Sequence, residues 1–428
     1  MNQSKYIIDL LKQGRNVFLT GGAGVGKSYT IDKIIKSNAF KTIVLASTAL
    51  AAVNIGGDTV HRFFKLRLAR NINELKTSKD DLQELYKSLS GIELIIIDEI
   101  SMISSDVFDM IYSRLFGFSN IRLLIVGDFY QLEPVKSDGN YAFCSKYWQE
   151  CNFKVIELIT QHRMGDKEFY ENLRSIRIGN ITNNCIEYFK QYKIKDDINN
   201  YDDYTIICGT NEEAKNINIA KLKAIDNKEY SFNASVKKNI EFDEELDNDF
   251  KQWLRAQPIE EEFVFKIGAK VIFTYNFDNY YNGMQGEIIA YDEKEKELKI
   301  RSNQYIYSVS PREFLYFSDP EIAASFRINP SLIDKKPDAI LKAFPLKLSY
   351  AITIHKSQGM SIDKLICKCD KIFAQGQLYV ALSRSSNPSN FKIIFNGSEK
   401  SYENLFRIKA KANLAVKQFY QFCDKEQI

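Results

Sequence analysis

The sequence has little with which to bind zinc. Its seven cysteines (Cys144, Cys151, Cys185, Cys208, Cys367, Cys369 and Cys423) form no CxxC pair, lie near no histidine at ligating spacing, and share the chain with only three histidines. An odd, scattered set of this kind predicts reduced thiols in a cytoplasmic protein, with no disulfide framework and no zinc. Long apolar runs are missing too. No stretch reaches the roughly 18 uncharged apolar residues of a membrane span, and the opening MNQSKYIIDLLKQGRN has no apolar h-region, so neither a span nor a secretory signal is expected. Nor is there an excess of one charge. The formal net charge is +3 and the pI about 8.2, so any nucleic-acid contact has to come from a local groove and not from a globally basic surface. Internal repeats and low-complexity tracts are absent.

What is present is 428 residues with 45% hydrophobic content, enough for two or three domains with separate cores. From Val17 the order is an apolar strand, a glycine loop, a helical stretch, a strand at Lys41 to Ala46, and further strands at Leu94 to Ile97 and Arg122 to Val126. Strands alternating with helices predict an α/β fold with a parallel, doubly wound sheet. The texture returns after residue 153, with strands at Lys154 to Leu158, Tyr204 to Cys208 and Phe391 to Phe395, and predicts a second α/β domain. Between, over 226–341, short alternating segments (FVFKIGAKVIF, GEIIAYD, ELKIRSNQYIYSV) and the turn chemistry of YNGMQG predict a small inserted β-barrel. The acidic segment Asp243 to Glu262 reads as a solvated face or linker.

The strongest local signal is Gly21-Gly22-Ala23-Gly24-Val25-Gly26-Lys27-Ser28, a complete GxxxxGK[ST] between the strand VFLT and a helical segment beginning Tyr29. Backbone N–H groups of a glycine loop at a helix N-terminus surround phosphate oxygens because no side chain blocks the approach and the helix dipole favours anions. Lys27 adds a point charge and Ser28 a hydroxyl for Mg²⁺. Downstream, Leu94-Ile95-Ile96-Ile97-Asp98-Glu99 ends an apolar strand on two carboxylates. An isolated Asp-Glu pair is most often a solvated loop. After this strand and this loop, Asp98 is expected to hold Mg²⁺ through water and Glu99 to orient and deprotonate the attacking water. Gln131, in GDFYQLEPV beyond the next strand, is placed to sense a γ-phosphate, and Arg163 (TQHRM) and Arg384 (YVALSR) to reach transition-state charge from the second domain.

Seven segments in order, GGAGVGKS, STALAAVNIGGDTVHRF, IIIDEISM, GDFYQLEPV, TQHRM, AITIHKSQGMSID and GQLYVALSR, resemble the PIF helicases of superfamily 1, group B, relatives of the RecD-like and Dda helicases. The resemblance runs through almost the whole chain. It implies two RecA-like domains with ATP between them, DNA across the top of both, an SH3-like barrel inserted in the second, and 5′-to-3′ translocation. The implied boundaries are 1–152 for the first domain, with a wedge insertion at about 62–90; 153–225 and 342–400 for the second; 226–341 for the barrel; and a C-terminal helix at 401–428. Gln358 and Gly359 are implied near the nucleotide, and Gln3 as an adenine-reading glutamine.

All three histidines fall within these segments, His61, His162 and His355. On the resemblance, the rings of His61 and Phe63 offer stacking faces for unpaired bases, with Phe63 or its neighbour Phe64 serving the core instead. Thr48, Thr59, Thr353 and Lys356 are implied to grip phosphates. The loop departs from the commoner GSAGTGKS, and the wedge stretch KTSKDDLQEL is more polar than its counterparts. The expected partners are single-stranded DNA and forked or tailed duplexes, with G-quadruplexes and RNA–DNA hybrids left open, and the chain is expected to act as a monomer. A ring-forming remodelling ATPase would borrow its arginine from a neighbouring subunit, whereas this chain carries two candidates of its own. A degenerate DNA-binding module would be expected to have lost Lys27, Asp98 or Glu99.

Overall fold

The computed structural model describes residues 3–428 except 49–50, 53–54, 56, 68, 76–77, 135–138, 161–166, 196–197, 258, 276, 278–279, 281–282 and 319–334. The chain folds into two compact units, 1–214 with 352–428, and 215–351.

In the first unit, strands β1 (Val17–Gly21), β2 (Thr42–Ala46), β3 (Asp58–Thr59), β4 (Leu94–Asp98), β5 (Arg122–Val126) and β6 (Lys154–Leu158) join the C-terminal strand Lys425–Gln427 in one sheet. The order is C-terminal strand, β6, β1, β5, β4, β2, β3, and every pairing is parallel. Such a sheet is covered on both faces, so its central strands read as unbroken apolar runs. β1 and β4 are buried at every position. A second sheet in the same unit has the order Ala351–Thr353, Thr205–Cys208, Leu365–Lys368, Phe391–Ile394, Lys193–Ile194.

Two boundaries differ from expectation. β6 belongs to the first sheet and not the second domain, pairing with β1 from Val17↔Lys154 to Gly21↔Leu158. Its apolar pattern suits either sheet; just before β1, the side chain of Asn16 donates to the Cys151 carbonyl at 2.8 Å and accepts from the Leu123 N–H at 2.9 Å, tying the segment ahead of β6 to β5. The tail 401–428 is not one helix. It runs through the end of the helix Glu399–Asn404, a π-helical turn Leu405–Lys409, the helix Leu414–Phe422 and the strand Lys425–Gln427, which extends the sheet beside β6. Phe419 and Tyr420 of that last helix pack on Phe18, Phe129 and Trp148, and this aromatic cluster holds the tail on the first sheet.

The second unit contains an antiparallel five-stranded sheet, Tyr305–Val309, Glu297–Ser302, Gln285–Asp292, Lys270–Phe273 and Leu346–Leu348, with two smaller sheets. Alternate residues (Val271, Phe273, Ile288, Leu298, Ile300) face a core shared with Phe263, Phe265 and Phe344. The hairpin expected at YNGMQG joins two of these strands, although Tyr281 and Asn282 lie outside the described residues. The acidic segment is not a linker. Asp243 caps the helix Glu244–Ala256 by accepting from the Leu246 N–H at 2.8 Å, and the helix packs Phe250 and Trp253 against Tyr316. Its acidic residues mark the outer side of an amphipathic helix.

Among the described residues no helix is long and apolar enough to cross a membrane.

Candidate nucleotide site and nucleic-acid interface

The site begins where β1 ends. Gly21 has φ 146°, and a Cβ there would lie 2.5 Å from the Leu158 carbonyl oxygen, so only glycine lets the chain turn under β6. Gly26 (φ 91°, ψ 20°) caps the helix Lys27–Lys36 and aims its free N–H groups into the loop formed by Gly22, Ala23, Gly24 and Val25. Lys27 folds over that loop, donating from Nζ to the carbonyls of Gly21 at 2.7 Å and Gly22 at 2.8 Å. Burial holds its pKa below the ordinary lysine value, partly offset by Asp128, Glu99 and Asp98. Ser28 is next in the helix, and Tyr29 is an exposed ring with the Lys33 ammonium 5.3 Å from its centroid. Gln3 opens the preceding helix, Gln3–Lys12.

Asp98 and Glu99 stand at the carboxyl end of β4. The Glu99 N–H donates to Asp98 Oδ1 at 2.8 Å, and Glu99 adopts a left-handed φ of 54° that turns its side chain out of the sheet. Burial, then the neighbouring Glu99 carboxylate, push the Asp98 pKa up to about 7. Buried oxygen donors on adjacent residues suit a hard divalent cation. Gly127, just past β5, lies so close to the turn Ile100–Met102 that a Cβ would meet the Ile100 nitrogen at 2.9 Å.

The amide Nε2 of Gln358 reaches this corner from the second sheet's side. It sits 3.2 Å from Glu99 Oε2, 3.2 Å from Ser101 Oγ and 3.4 Å from Gln131 Oε1, its two N–H groups shared among the three acceptors. The structure thus brings together Glu99, Gln131 and Gln358, which are far apart in sequence. Gly359 follows in an exposed left-handed turn, φ 79°. No described hydrogen bond joins Arg384 to this group. Among the described contacts its donors go to the Val380 carbonyl (3.0 Å), the Met360 carbonyl (3.3 Å) and Ser383 Oγ (3.0 Å). Arg163 and His162 lie outside the described residues.

Sequence reasoning missed one group of residues. Arg177, 5% exposed, makes a bidentate pair with Asp128 at 2.9 and 3.0 Å and bonds Glu157 at 3.2 Å, its guanidinium 4.8 Å over the Tyr130 ring. Tyr379 accepts from the Ala23 N–H at 2.8 Å and donates to Asp128 at 3.4 Å. The signal for Arg177 was present, since it follows Phe169, Leu173 and Ile176 on the buried face of the helix Lys167–Ile178, where a charge requires a buried partner. A cavity of about 470 Å³ opens beside the loop, lined by Gly22, Ala23, Ile159, Tyr170, Arg174 and Tyr379 among others. Its size suits a small-molecule ligand.

The residues expected to meet DNA fall into two groups. Thr48 and Thr59 lie past the carboxyl ends of β2 and at the end of β3, neighbours paired at Ala46↔Thr59. Thr48 accepts from the Ala51 N–H at 3.2 Å, and Thr59 caps the short helix Val60–Phe63, accepting from the Arg62 N–H at 3.3 Å. His61 is exposed and Phe63 half-buried, whereas Phe64 is the core residue of the pair. Thr353, buried, ends a strand of the second sheet; His355 follows, half-buried, with its pKa lowered by burial, and then the exposed Lys356. Both groups occupy carboxyl ends of strands, the edge at which open α/β sheets bind ligands.

A phosphate loop and paired carboxylates on one parallel sheet, met by a glutamine from beside a second, define a P-loop nucleoside triphosphatase of the two-sheet motor class. The model of the PIF1-like helicases matches residues 3–185. The chain is 42% identical to the ATP-dependent DNA helicase Pif1 of Campylobacter jejuni, over 95% of this chain and 94% of that protein, and 32% identical to its Bdellovibrio bacteriovorus counterpart, over 90% and 86%. Among solved structures, the Candida albicans Pif1 helicase superposes with a TM-score of 0.79 at 26% identity, covering 98% of each chain. Bacteroides Pif1 in complex with ADP-AlF3 and single-stranded DNA superposes with 0.76 at 27% identity, covering 98% of this chain and 96% of that one. This chain belongs to the PIF1-like helicase family.

Proposed function

We propose that this member of an ATP-dependent DNA helicase family is a 5′-to-3′ translocase on single-stranded DNA that splits duplex ahead of it. The observation that carries the reading is the Gln358 amide shared between Glu99, Ser101 and Gln131. A residue two positions after the DNA-side Lys356 touches the residue that would activate water, so grip and hydrolysis are joined through one short turn.

In this reading the sheet carrying the phosphate loop is the first RecA-like domain, the sheet built on Thr205–Cys208 the core of the second, the stretch 62–90 the wedge, and the inserted β unit an SH3-like barrel. The loop amides and Lys27 bind the phosphates. Ser28 and Asp98 would hold Mg²⁺, which supplies neutralisation of phosphate charge when bound. Glu99 takes the proton of the attacking water, with Gln358 holding its carboxylate and Gln131, bonded to the same amide, sensing the γ-phosphate. Arg384, with Arg163, swings from its own domain's carbonyls toward the γ-phosphate as the domains close, and hydrolysis releases it. Thr48, Thr59, Thr353 and Lys356 grip phosphates while His61, Phe63 and His355 offer ring surfaces. Such contacts read neither sequence nor the 2′-hydroxyl, so RNA–DNA hybrids are acceptable substrates.

The test is the ATPase rate with and without single-stranded DNA, then unwinding of duplexes bearing a 5′ or a 3′ tail, with Lys27→Ala as control. Strong stimulation and unwinding from the 5′ tail alone supports the proposal. Unwinding from the 3′ tail refutes the polarity, and DNA-stimulated turnover retained in Lys27→Ala refutes the site.

A further inference from the structure

The mechanism above leaves unused a buried polar cluster that joins several elements of the first unit. Asp128, fully buried at the carboxyl end of β5, three residues before Gln131, accepts from the Arg177 guanidinium and from the Tyr379 hydroxyl. Tyr379 in turn accepts from the Ala23 N–H at 2.8 Å, at the crest of the phosphate loop. Arg177 also bonds Glu157 of β6, which is held by Lys425 at 3.1 Å and Gln427 at 2.8 Å in the C-terminal strand. Arg177 comes from the helix Lys167–Ile178 and Tyr379 from the helix Gln377–Ser383, which ends at Arg384.

We infer that Tyr379 and Arg177 are positioning residues for ATP hydrolysis: together they fix the crest of the phosphate loop to the Asp128–Gln131 turn, so that the loop and Gln131 face the γ-phosphate in one registered pose. This rests on the reading of Lys27, Glu99 and Gln131 as the hydrolysis site. The chemistry suits the task. A tyrosine hydroxyl can accept from an amide and donate to a carboxylate at once, and burial keeps the Tyr379 hydroxyl protonated by raising its pKa. Burial by itself would lower the Arg177 pKa, but Asp128 reverses this and holds it well above the ordinary value, so the guanidinium stays charged. A bidentate arginine–carboxylate pair fixes orientation as well as distance. Tyr379 lies five residues before Arg384 in the chain, so the same helix that props the loop carries the candidate finger. The cluster's Tyr379 and Arg177 line the cavity beside the loop, but their polar atoms are committed to Ala23, Asp128 and Glu157. Its effect must therefore fall on the geometry of the chemical step and not on nucleotide affinity, which the amides of Gly24 to Ser28 and Lys27 supply on their own.

The test is Tyr379→Phe in the full chain, which removes one oxygen and keeps the ring. Single-stranded-DNA-stimulated ATPase is measured over an ATP titration, with ADP binding and thermal melting on the same preparation. The expected result is a kcat about tenfold lower, equivalent to about 1.4 kcal/mol, with KM and ADP affinity within about twofold of wild type. Arg177→Lys keeps the charge but loses the fork, and is expected to lower kcat in the same direction; it is the variant to use if Tyr379→Phe fails to fold. A kcat within twofold of wild type, or a KM that rises as far as kcat falls, overturns the inference, because a residue that only shapes the pocket or supports the fold gives those results. If wild-type ATPase shows no stimulation by DNA, the helicase reading fails instead, and the same comparison made on the basal rate still decides the role of Tyr379.

Discussion

Replacing Arg177 with methionine isolates what the buried ion pair contributes to the fold. Methionine keeps an unbranched apolar chain over the inner part of the slot, stops short of the guanidinium's outer atoms, and has no donors. The substitution deletes two bonds to Asp128, at 2.9 and 3.0 Å, and one to Glu157 at 3.2 Å. Glu157 keeps Lys425 and Gln427. Asp128, 0% exposed, is left with the Tyr130 N–H at 3.2 Å and the Tyr379 hydroxyl at 3.4 Å among the described contacts. Breaking a buried pair from one side costs about 3–5 kcal/mol; with one of the two carboxylates still satisfied, the lower end applies. Loss of the guanidinium from the face of Tyr130 adds about 1 kcal/mol. The sum is about 4 kcal/mol, which for a unit of this size lowers Tm by about 8 °C. Circular-dichroism melts and urea titrations at neutral pH measure it. Because the expense lies in stranding a buried charge, the double variant Arg177→Met/Asp128→Asn should regain about half the loss. An Arg177→Met protein within about 1 kcal/mol of wild type, or a double variant no more stable than the single one, would refute the reasoning.

Three further outcomes are expected. Glu99→Gln should bind ATP as wild type does while phosphate release falls about 10²–10⁴-fold; turnover within tenfold of wild type removes Glu99 from the role of base. In salt titrations of single-stranded-DNA binding, Phe63→Ala should weaken affinity by about 1–3 kcal/mol at unchanged slope, whereas Lys356→Ala should flatten the log–log slope by about 0.7. Identical slopes in the two variants would mean that stacking and phosphate contact are wrongly assigned. Glu157→Gln tests the acid limb of stability. Burial by itself would raise the Glu157 pKa, but the Gln427 amide, Arg177 and Lys425 together hold it below the usual carboxylate value. A depressed carboxylate stabilises the fold above its unfolded-state pKa and loses that contribution as pH falls through the folded value. The gap in Tm between wild type and Glu157→Gln should therefore be full at neutral pH and close under acid; a gap that is constant down to the acid limit contradicts the assignment.

The sequence by itself determined what is local. Gly21 to Ser28 lie within one strand–loop–helix step, and Asp98-Glu99 end a four-residue apolar run, so spacing alone carries their chemistry. The alternation over 262–309 likewise announced antiparallel strands, because the side-chain period of a strand is visible in consecutive residues. What only the tertiary structure decided is which distant pieces share a place. The pattern of β6 fits two sheets equally, and only the fold shows it paired along β1. The last residues look helical until the edge of β6 offers Lys425–Gln427 a row of unpaired backbone groups to bond. The helix pattern puts Arg177 on a buried face but does not name its partner, which is Asp128, 49 residues earlier, and Tyr379 is 356 residues from the Ala23 amide it caps. Periodicity records which side of an element is buried, but a buried charge is satisfied by a partner whose position depends on the closed fold, and that information is held only in three dimensions.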